Sequence, residues 1–325
     1  MKIKYNQINE IKAHFKGEFH TSLKWRLLYA TDASSYREIP TAVAIPKDKE
    51  DIKYLIKFSN ENGLSLIPRG AGTSLAGQVV GKGIVVDVSK YMNKIQEINC
   101  KDMCVTVEPG IVLDELNTLL EPYKLFFAPE TSSSNRCTIG GMVSNNSCGA
   151  HSLLYGSTRE HLNSIEALLS DGSEVKFMPL TIKEFNDKCY NNNLEGDIYK
   201  QIKKIFSDQS LIDEIKKEYP LPSIKRRNTG YALDLLYDNK IFCAESNKPF
   251  NFCQLLAGSE GTLTFMHSIT LNLLPLKQKY KGLLCIHFKN IEDAVEANLI
   301  ILKYDIAAIE MIDNTIINCA LNHQG

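Results

Sequence analysis

No stretch of this 325-residue sequence stays apolar for the length a bilayer crossing requires. Its first ten residues are polar, without the apolar centre of a secretory signal, so a soluble, cytoplasmic protein is expected. Neither charge is in excess: 37 lysines and arginines stand against 38 aspartates and glutamates, and the basic footprint of a nucleic-acid binder is missing. Nine cysteines occur, but none forms a Cys-x-x-Cys pair. The seven histidines form neither His-x-His nor His-Glu-x-x-His. Zinc and iron–sulfur sites normally show such tight spacing, and a disulfide framework needs export, so no metal site is assigned and reduced thiols are expected. Repeats and low-complexity tracts are lacking too. What remains is an ordinary globular composition on a chain long enough for two or more domains.

Patterning divides the chain into two sections. Residues 8–30 mix apolar and charged positions as an opening helix would. A strand is predicted at 41–45 and an amphipathic helix at 48–62, capped by Asp48 and ended by Gly63. Strands follow at 64–67 and 83–88, and this β-α-β order implies a small parallel sheet. A second section begins near Ile95, with a strand pair over 94–99 and 103–107 and a helix over 112–120. Residues 138–149 are small enough to open a helix. Asp171-Gly172 is the strongest hairpin signal, set between strands at 164–170 and 174–177. Residues 181–218 are helical and charge-rich, as expected of an insertion, and 265–274 reads as a further strand.

Between the strands at 64–67 and 83–88 lies Pro-Arg-Gly-Ala-Gly-Thr-Ser-Leu-Ala-Gly, residues 68–77. Glycines at 70, 72 and 77 admit positive φ and a close approach to the main chain. Successive N–H groups in such a turn make a concavity suited to phosphate oxygens, with Thr73 and Ser74 adding hydroxyls and Arg69 a positive charge. A P-loop would need Gly-Lys-Ser/Thr, but no lysine follows until Lys82. A Rossmann fingerprint needs a helix directly after the glycines, and here a β-branched run follows. On this loop alone, an ordinary glycine-rich turn competes with a phosphate cradle.

Three further small-residue segments accompany it: Pro-Glu-Thr-Ser-Ser-Ser at 129–134, Thr-Ile-Gly-Gly-Met-Val-Ser-Asn-Asn-Ser-Cys-Gly at 138–149, and Gly-Ser-Glu-Gly-Thr at 258–262. In order and spacing the four resemble the FAD-linked oxidoreductases of the vanillyl-alcohol oxidase / p-cresol methylhydroxylase type. The closest resemblance is to the FAD-containing 2-hydroxyacid dehydrogenases, which include glycolate oxidase and D-lactate dehydrogenase subunits. Residues 29–36 and 225–231 resemble the long members that fuse flavin and iron–sulfur parts, among them D-2-hydroxyglutarate dehydrogenases. The resemblance implies an α+β fold with a two-subdomain FAD-binding domain over 1–275, divided near residue 94 into a small parallel part and a larger mixed or antiparallel sheet. Residues 276–325 would then begin a cap domain. By the same resemblance, Arg69, Gly70, Ala71, Gly72, Thr73 and Ser74 would hold the FAD pyrophosphate. Pro129, Glu130, Thr131, Ser132, Thr138, Gly141, Ser144 and Asn145 would line the flavin and its ribityl chain, and Glu260, Gly261 and Thr262 would close the site. Thr73 stands where some members carry a histidine bonded to the flavin, so FAD is expected to be held non-covalently. His151, the one histidine near these segments, reads as an ordinary loop histidine.

The family's histidine-rich cap motif and clustered cysteines are missing, so the resemblance implies an N-terminal portion of a longer enzyme. No general base can be named. Arg226, Arg227, Asn228 and Tyr231 could meet a substrate carboxylate, because arginine presents a bidentate fork to it; Arg227 is the first choice. The expected activity is hydride transfer from a D-2-hydroxy acid to flavin, with electrons passed to an acceptor or iron–sulfur module outside this chain. A non-catalytic FAD-binding module and an alcohol or sugar oxidase on the same fold are the alternatives.

Overall fold

The computed structural model describes residues 5–221, 223–224, 226–227, 230–276, 282–304 and 306–323. The first sheet contains β1 (Glu18–His20), β2 (Ala42–Ile45), β3 (Leu66–Arg69) and β4 (Ile84–Asp87), in the order β1-β2-β4-β3. β2 and β3 both run parallel to β4, and β1 is antiparallel to β2. Every residue of β2 and β4 is buried, as the unbroken runs Ala-Val-Ala-Ile and Ile-Val-Val-Asp require of strands covered on both faces.

α1 (Tyr5–His14) precedes β1, and α2 (Leu23–Leu28) follows it. The single opening helix expected over 8–30 is therefore split. At Gly17 the chain runs so close to the Ile45 carbonyl that a Cβ would overlap it, and pairing with β2 replaces the helix there. α3 (Lys49–Asn62) connects β2 to β3. Asp48 caps it by accepting from the Glu50 and Asp51 N–H groups, and Gly63 ends it at φ 60°. Its inner face buries Ile52, Leu55, Ile56 and Phe58.

The second sheet is antiparallel throughout: β5 (Ile95–Asn99), β6 (Cys104–Val107), β8 (Leu162–Leu168), β9 (Glu174–Phe177) and β10 (Phe265–Asn272), ordered β5-β6-β10-β8-β9. The Asp171-Gly172 hairpin joins β8 to β9, with Gly172 at φ 83°. β7 (Leu125–Phe126) pairs with β11 (Leu274–Pro275). α4 (Leu113–Leu120), α5 (Ile139–Asn145) and α6 (Ser152–Tyr155) lie between β6 and β8. α7 (Ile182–Tyr190), α8 (Leu194–Ile205), α9 (Gln209–Glu218), α10 (Leu233–Tyr237) and α11 (Cys253–Leu256) lie between β9 and β10.

The segment read as an insertion packs into the larger core. Phe185 of α7 meets Phe250 edge-on at 4.8 Å, and Tyr199 of α8 meets Phe252 at 4.9 Å. Leu168 and Phe265 of the second sheet join the apolar core of the first, fastening the two. Beyond them lie α12 (Ile291–Ile301) and α13 (Asn314–Asn322); no described residue from 282 to 323 is buried. Among the described residues no helix is long and apolar enough to cross a membrane.

Candidate cofactor site

Parallel neighbours need a long crossover, and residues 70–83 carry the chain from the end of β3 back to the start of β4. That crossover walls one side of a cavity of about 480 Å³, a size usual for a small-ligand site. β3 begins two residues later than expected, because the Leu64 N–H still bonds Ser59 O at the exit of α3. Arg69 therefore belongs to the strand, opposite Asp87 of β4. Its guanidinium lies under the loop. Nη1 donates to Thr31 O at 2.9 Å, and the group sits 5.1 Å from the centre of the Tyr29 ring. Burial pushes the Arg69 pKa down, opposed by the charge of Asp87. Tyr29 donates to Asp87 at 2.7 Å, and burial, then that carboxylate, raise its pKa.

The loop is shaped by contacts only glycine allows. A Cβ on Gly70 would overlap Thr138 Oγ1, and one on Gly72, at φ 69°, would lie 2.6 Å from Arg69 Nη2. The main-chain N–H groups of Ala71, Gly72, Thr73 and Ser74 donate no hydrogen bond among the described residues. Ser74 Oγ accepts from Asn145 Nδ2 at 2.7 Å, tying the loop to α5. Thr138 caps α5 and is itself buried. A strand turn with unspent donors, backed by a buried hydroxyl and an amide, has the donor chemistry of a phosphate cradle.

The opposite wall is a turn stitched to α5: Gly258 N–H donates to Val143 O at 3.0 Å and Glu260 N–H to Ser144 O at 2.9 Å. Gly258 and Gly261 have φ 87° and 74°, and Glu260 holds φ 52° although it has a side chain. Such a conformation costs on the order of 1–3 kcal/mol and gathers at functional sites. Gln78 Nε2 reaches Glu260 Oε1 at 3.4 Å across the cavity mouth.

Of the residues expected to hold the cofactor, Arg69 to Ser74, Thr131, Thr138, Gly141, Ser144, Asn145, Glu260 and Gly261 all line this one cavity. Pro129, Glu130, Ser132 and Thr262 stand outside the lining. Glu130 is occupied by His151, whose main-chain N–H and Nδ1 both meet Oε1. Thr262 Oγ1 is hydrogen-bonded to the Tyr231 hydroxyl. Arg227 points elsewhere, donating to Pro220 O at 2.8 Å and pairing with Asp234. Of the two adjacent arginines Arg226 is the one that lines the cavity, and Asn228 lies outside the described residues. Sequence reasoning missed Gln78 and Cys137, and Gly258, part of the fourth segment, joins the lining. The Cys137 thiol, 3.2 Å from Thr131 Oγ1, is pushed up by burial. Nothing in a lone Gln or Cys signals such a place. Among the described residues no group of three or more His, Cys, Asp or Glu could hold a metal.

Residues 40–177 match the family model described as FAD binding domain. The chain is 34% identical over 316 residues to D-2-hydroxyglutarate dehydrogenase of Haemophilus influenzae, covering 94% of this chain and 29% of that one. It is 33% identical over 310 residues to D-2-hydroxyglutarate dehydrogenase of Pseudomonas putida, covering 94% and 30%. It is also 34% identical over 160 residues to the glycolate oxidase subunit GlcD of Bacillus subtilis, covering 49% and 34%. The chain thus spans about three-tenths of the length of the first two relatives. Among solved structures, an alkyldihydroxyacetonephosphate synthase superposes with a TM-score of 0.58 at 16% identity, over 85% of this chain and 42% of that one. That likeness shows a shared fold.

Proposed function

We propose, from the match of residues 40–177 to the FAD binding domain model, that the chain is the flavin-carrying part of a dehydrogenase for a D-2-hydroxy acid. The observation that carries this reading is the cradle at Ala71–Ser74, four unspent N–H donors backed by Thr138 and Asn145. The relatives named D-2-hydroxyglutarate dehydrogenase and the one named glycolate oxidase subunit support the substrate class. Residues 1–275 form the cofactor domain, divided near residue 94, and 276–325 begin the substrate domain.

FAD supplies the acceptor for the hydride equivalent leaving the carbinol carbon. The chain's own residues bind and orient. The cradle N–H groups and the Thr73 and Ser74 hydroxyls neutralise the pyrophosphate, while Thr131, Gly141, Ser144 and Asn145 face the flavin side. No tether forms at Thr73, whose hydroxyl replaces an attachment histidine. Arg226, free of the Arg227–Asp234 pair, offers its fork to the substrate carboxylate. The proton acceptor and the exit for electrons belong to a module outside this chain.

The test is anaerobic mixing of the FAD-loaded chain, joined to the module that supplies the proton acceptor, with D-2-hydroxyglutarate, D-lactate or glycolate. Loss of the flavin's visible absorbance supports the dehydrogenase reading. FAD binding without that loss makes the chain a cofactor-carrying module only, and failure to bind FAD overturns both.

A further inference from the structure

We propose that Arg159 is a positioning residue that fixes two walls of the FAD cavity to each other from behind. Its residue is 2% exposed. It lies within the 3-10 turn Thr158–His161, held by the Ser157 capping box, in which Glu160 is committed to the Ser157 N–H and hydroxyl. From there one nitrogen, Nη2, donates to Gly230 O at 3.2 Å and to Ala257 O. The main-chain N–H of Arg159 donates to Asn146 Oδ1 at 2.9 Å. Asn146 is the left-handed residue that ends α5. The side chain therefore joins the 230 loop next to Arg226 to the turn that begins at Ala257, while the main chain of the same residue holds the end of α5. Asn146, Gly230 and Gly258 all line the cavity.

The packing around Nη2 leaves no slack. A Cβ on Gly258 would lie 2.9 Å from Gly230 O and 3.1 Å from Nη2, so the two glycine walls meet over the guanidinium. Nε has no partner among the described residues, and the nearby Asp234 gives one oxygen, Oδ2, to Arg227 while its buried Oδ1 is likewise unpartnered there. Burial accordingly pushes the Arg159 pKa down, with Glu160 and Asp234 opposing and Arg227 adding to the effect. A buried guanidinium bonded only to carbonyls is a costly way to fasten main chain. Its Nη2, at the end of a side chain longer than Gln, carries two N–H donors and reaches both carbonyls, which no apolar side chain can do. Arg159 touches neither cofactor nor substrate; it acts through Gly230 and Ala257.

The inference rests on the FAD-binding reading, and the two can fail separately. Arg159→Gln and Arg159→Lys are compared with the unaltered chain by fluorescence titration with FAD, by the band shape of the bound flavin's visible spectrum, and by thermal unfolding without FAD. Arg159→Gln is expected to weaken FAD binding by about tenfold or more and to alter the flavin bands. Arg159→Lys keeps the charge without the fork, and a smaller loss in the same direction is expected. If Arg159→Gln does not fold, the Lys variant decides. An unchanged FAD affinity and flavin spectrum in a variant with lowered thermal stability would overturn the proposal, reducing Arg159 to a core residue. Failure of the unaltered chain to bind FAD would overturn the FAD reading instead.

Discussion

At Gly70 the absence of a single methyl group decides whether the loop can sit on Thr138. A Cβ there overlaps Thr138 Oγ1, so alanine has to lift the loop from α5 and spread the N–H groups of residues 71–74. Forcing one methyl into packed surroundings costs about 1–3 kcal/mol, and the strain falls on the cradle. Gly70→Ala is expected to weaken FAD binding by about tenfold or more, read by fluorescence titration. Thr138→Ala gives up a helix cap, worth about 1 kcal/mol, but clears the oxygen that the new methyl would strike. The double variant Gly70→Ala/Thr138→Ala should therefore bind FAD better than Gly70→Ala alone, a non-additive result expected of residues in contact. Additive losses would mean that the loop does not rest on Thr138. Residue-scale chemistry separates the adjacent arginines in the same way. Arg227 is taken by Asp234, whereas Arg226 lines the cavity, and two like side chains in a row carry no sign of which will turn inward.

Among the elements, β10 carries the most varied duties. Phe265 and Met266 line the cavity, Phe265 also enters the core of the first sheet, and the register against β8 shifts between Met266 and Ser268. The residue at that shift is His267, buried, with Nε2 unpartnered among the described residues. Burial, then Lys49, lower its pKa from 6.5, against Glu166 of β8, Glu174 of β9 and Glu50 of α3. A histidine depressed in the folded state stabilises the fold above its unfolded pKa, and that stability is lost as pH falls through the folded value. The thermal midpoint should thus drop on acidification below 6.5, and His267→Met should flatten the drop. An unaltered pH profile in that variant would show that other groups carry it. Local signals made much of this scale legible: the Asp48 and Gly63 caps bound α3, and Asp171-Gly172 turns β8 into β9. The hairpin neighbours β5-β6 and β8-β9 were legible as well, but the order of the remaining strands was not. β4 lies between β2 and β3, and β10, last of the large strands, takes the centre of its sheet, because alternation marks a strand's faces without naming its partners. Likewise, four of the site segments were visible as motifs, while Arg159 reads as one more loop charge until its carbonyl partners are known.

For the whole molecule, the two apolar cores account for the chain only as far as Leu273. β11 then closes the fold by pairing with β7, and Leu276 N–H bonds Lys124 O at 2.8 Å. Between 282 and 323 the chain adds two helices, but no described residue there is buried: Leu283 is 91% exposed, Tyr304 70% and Leu321 69%. Contiguous exposed apolar surface drives association, and removing it takes nothing from either core. A chain ending at Leu276 is therefore expected to keep its thermal midpoint and its FAD affinity, since every cavity residue precedes Phe265 or is Phe265 or Met266. It should also bind less of a hydrophobic dye and run as a smaller species in size-exclusion chromatography than the 325-residue chain. Dye binding and elution size read the apolar surface, while the thermal midpoint and FAD titration read the cores and the cavity, so the two effects are separable. A lowered midpoint or weakened FAD binding in the shortened chain would mean that α12 or α13 supports the fold despite its exposure, and unchanged dye binding would place the adhesive surface on the FAD-binding sheets instead.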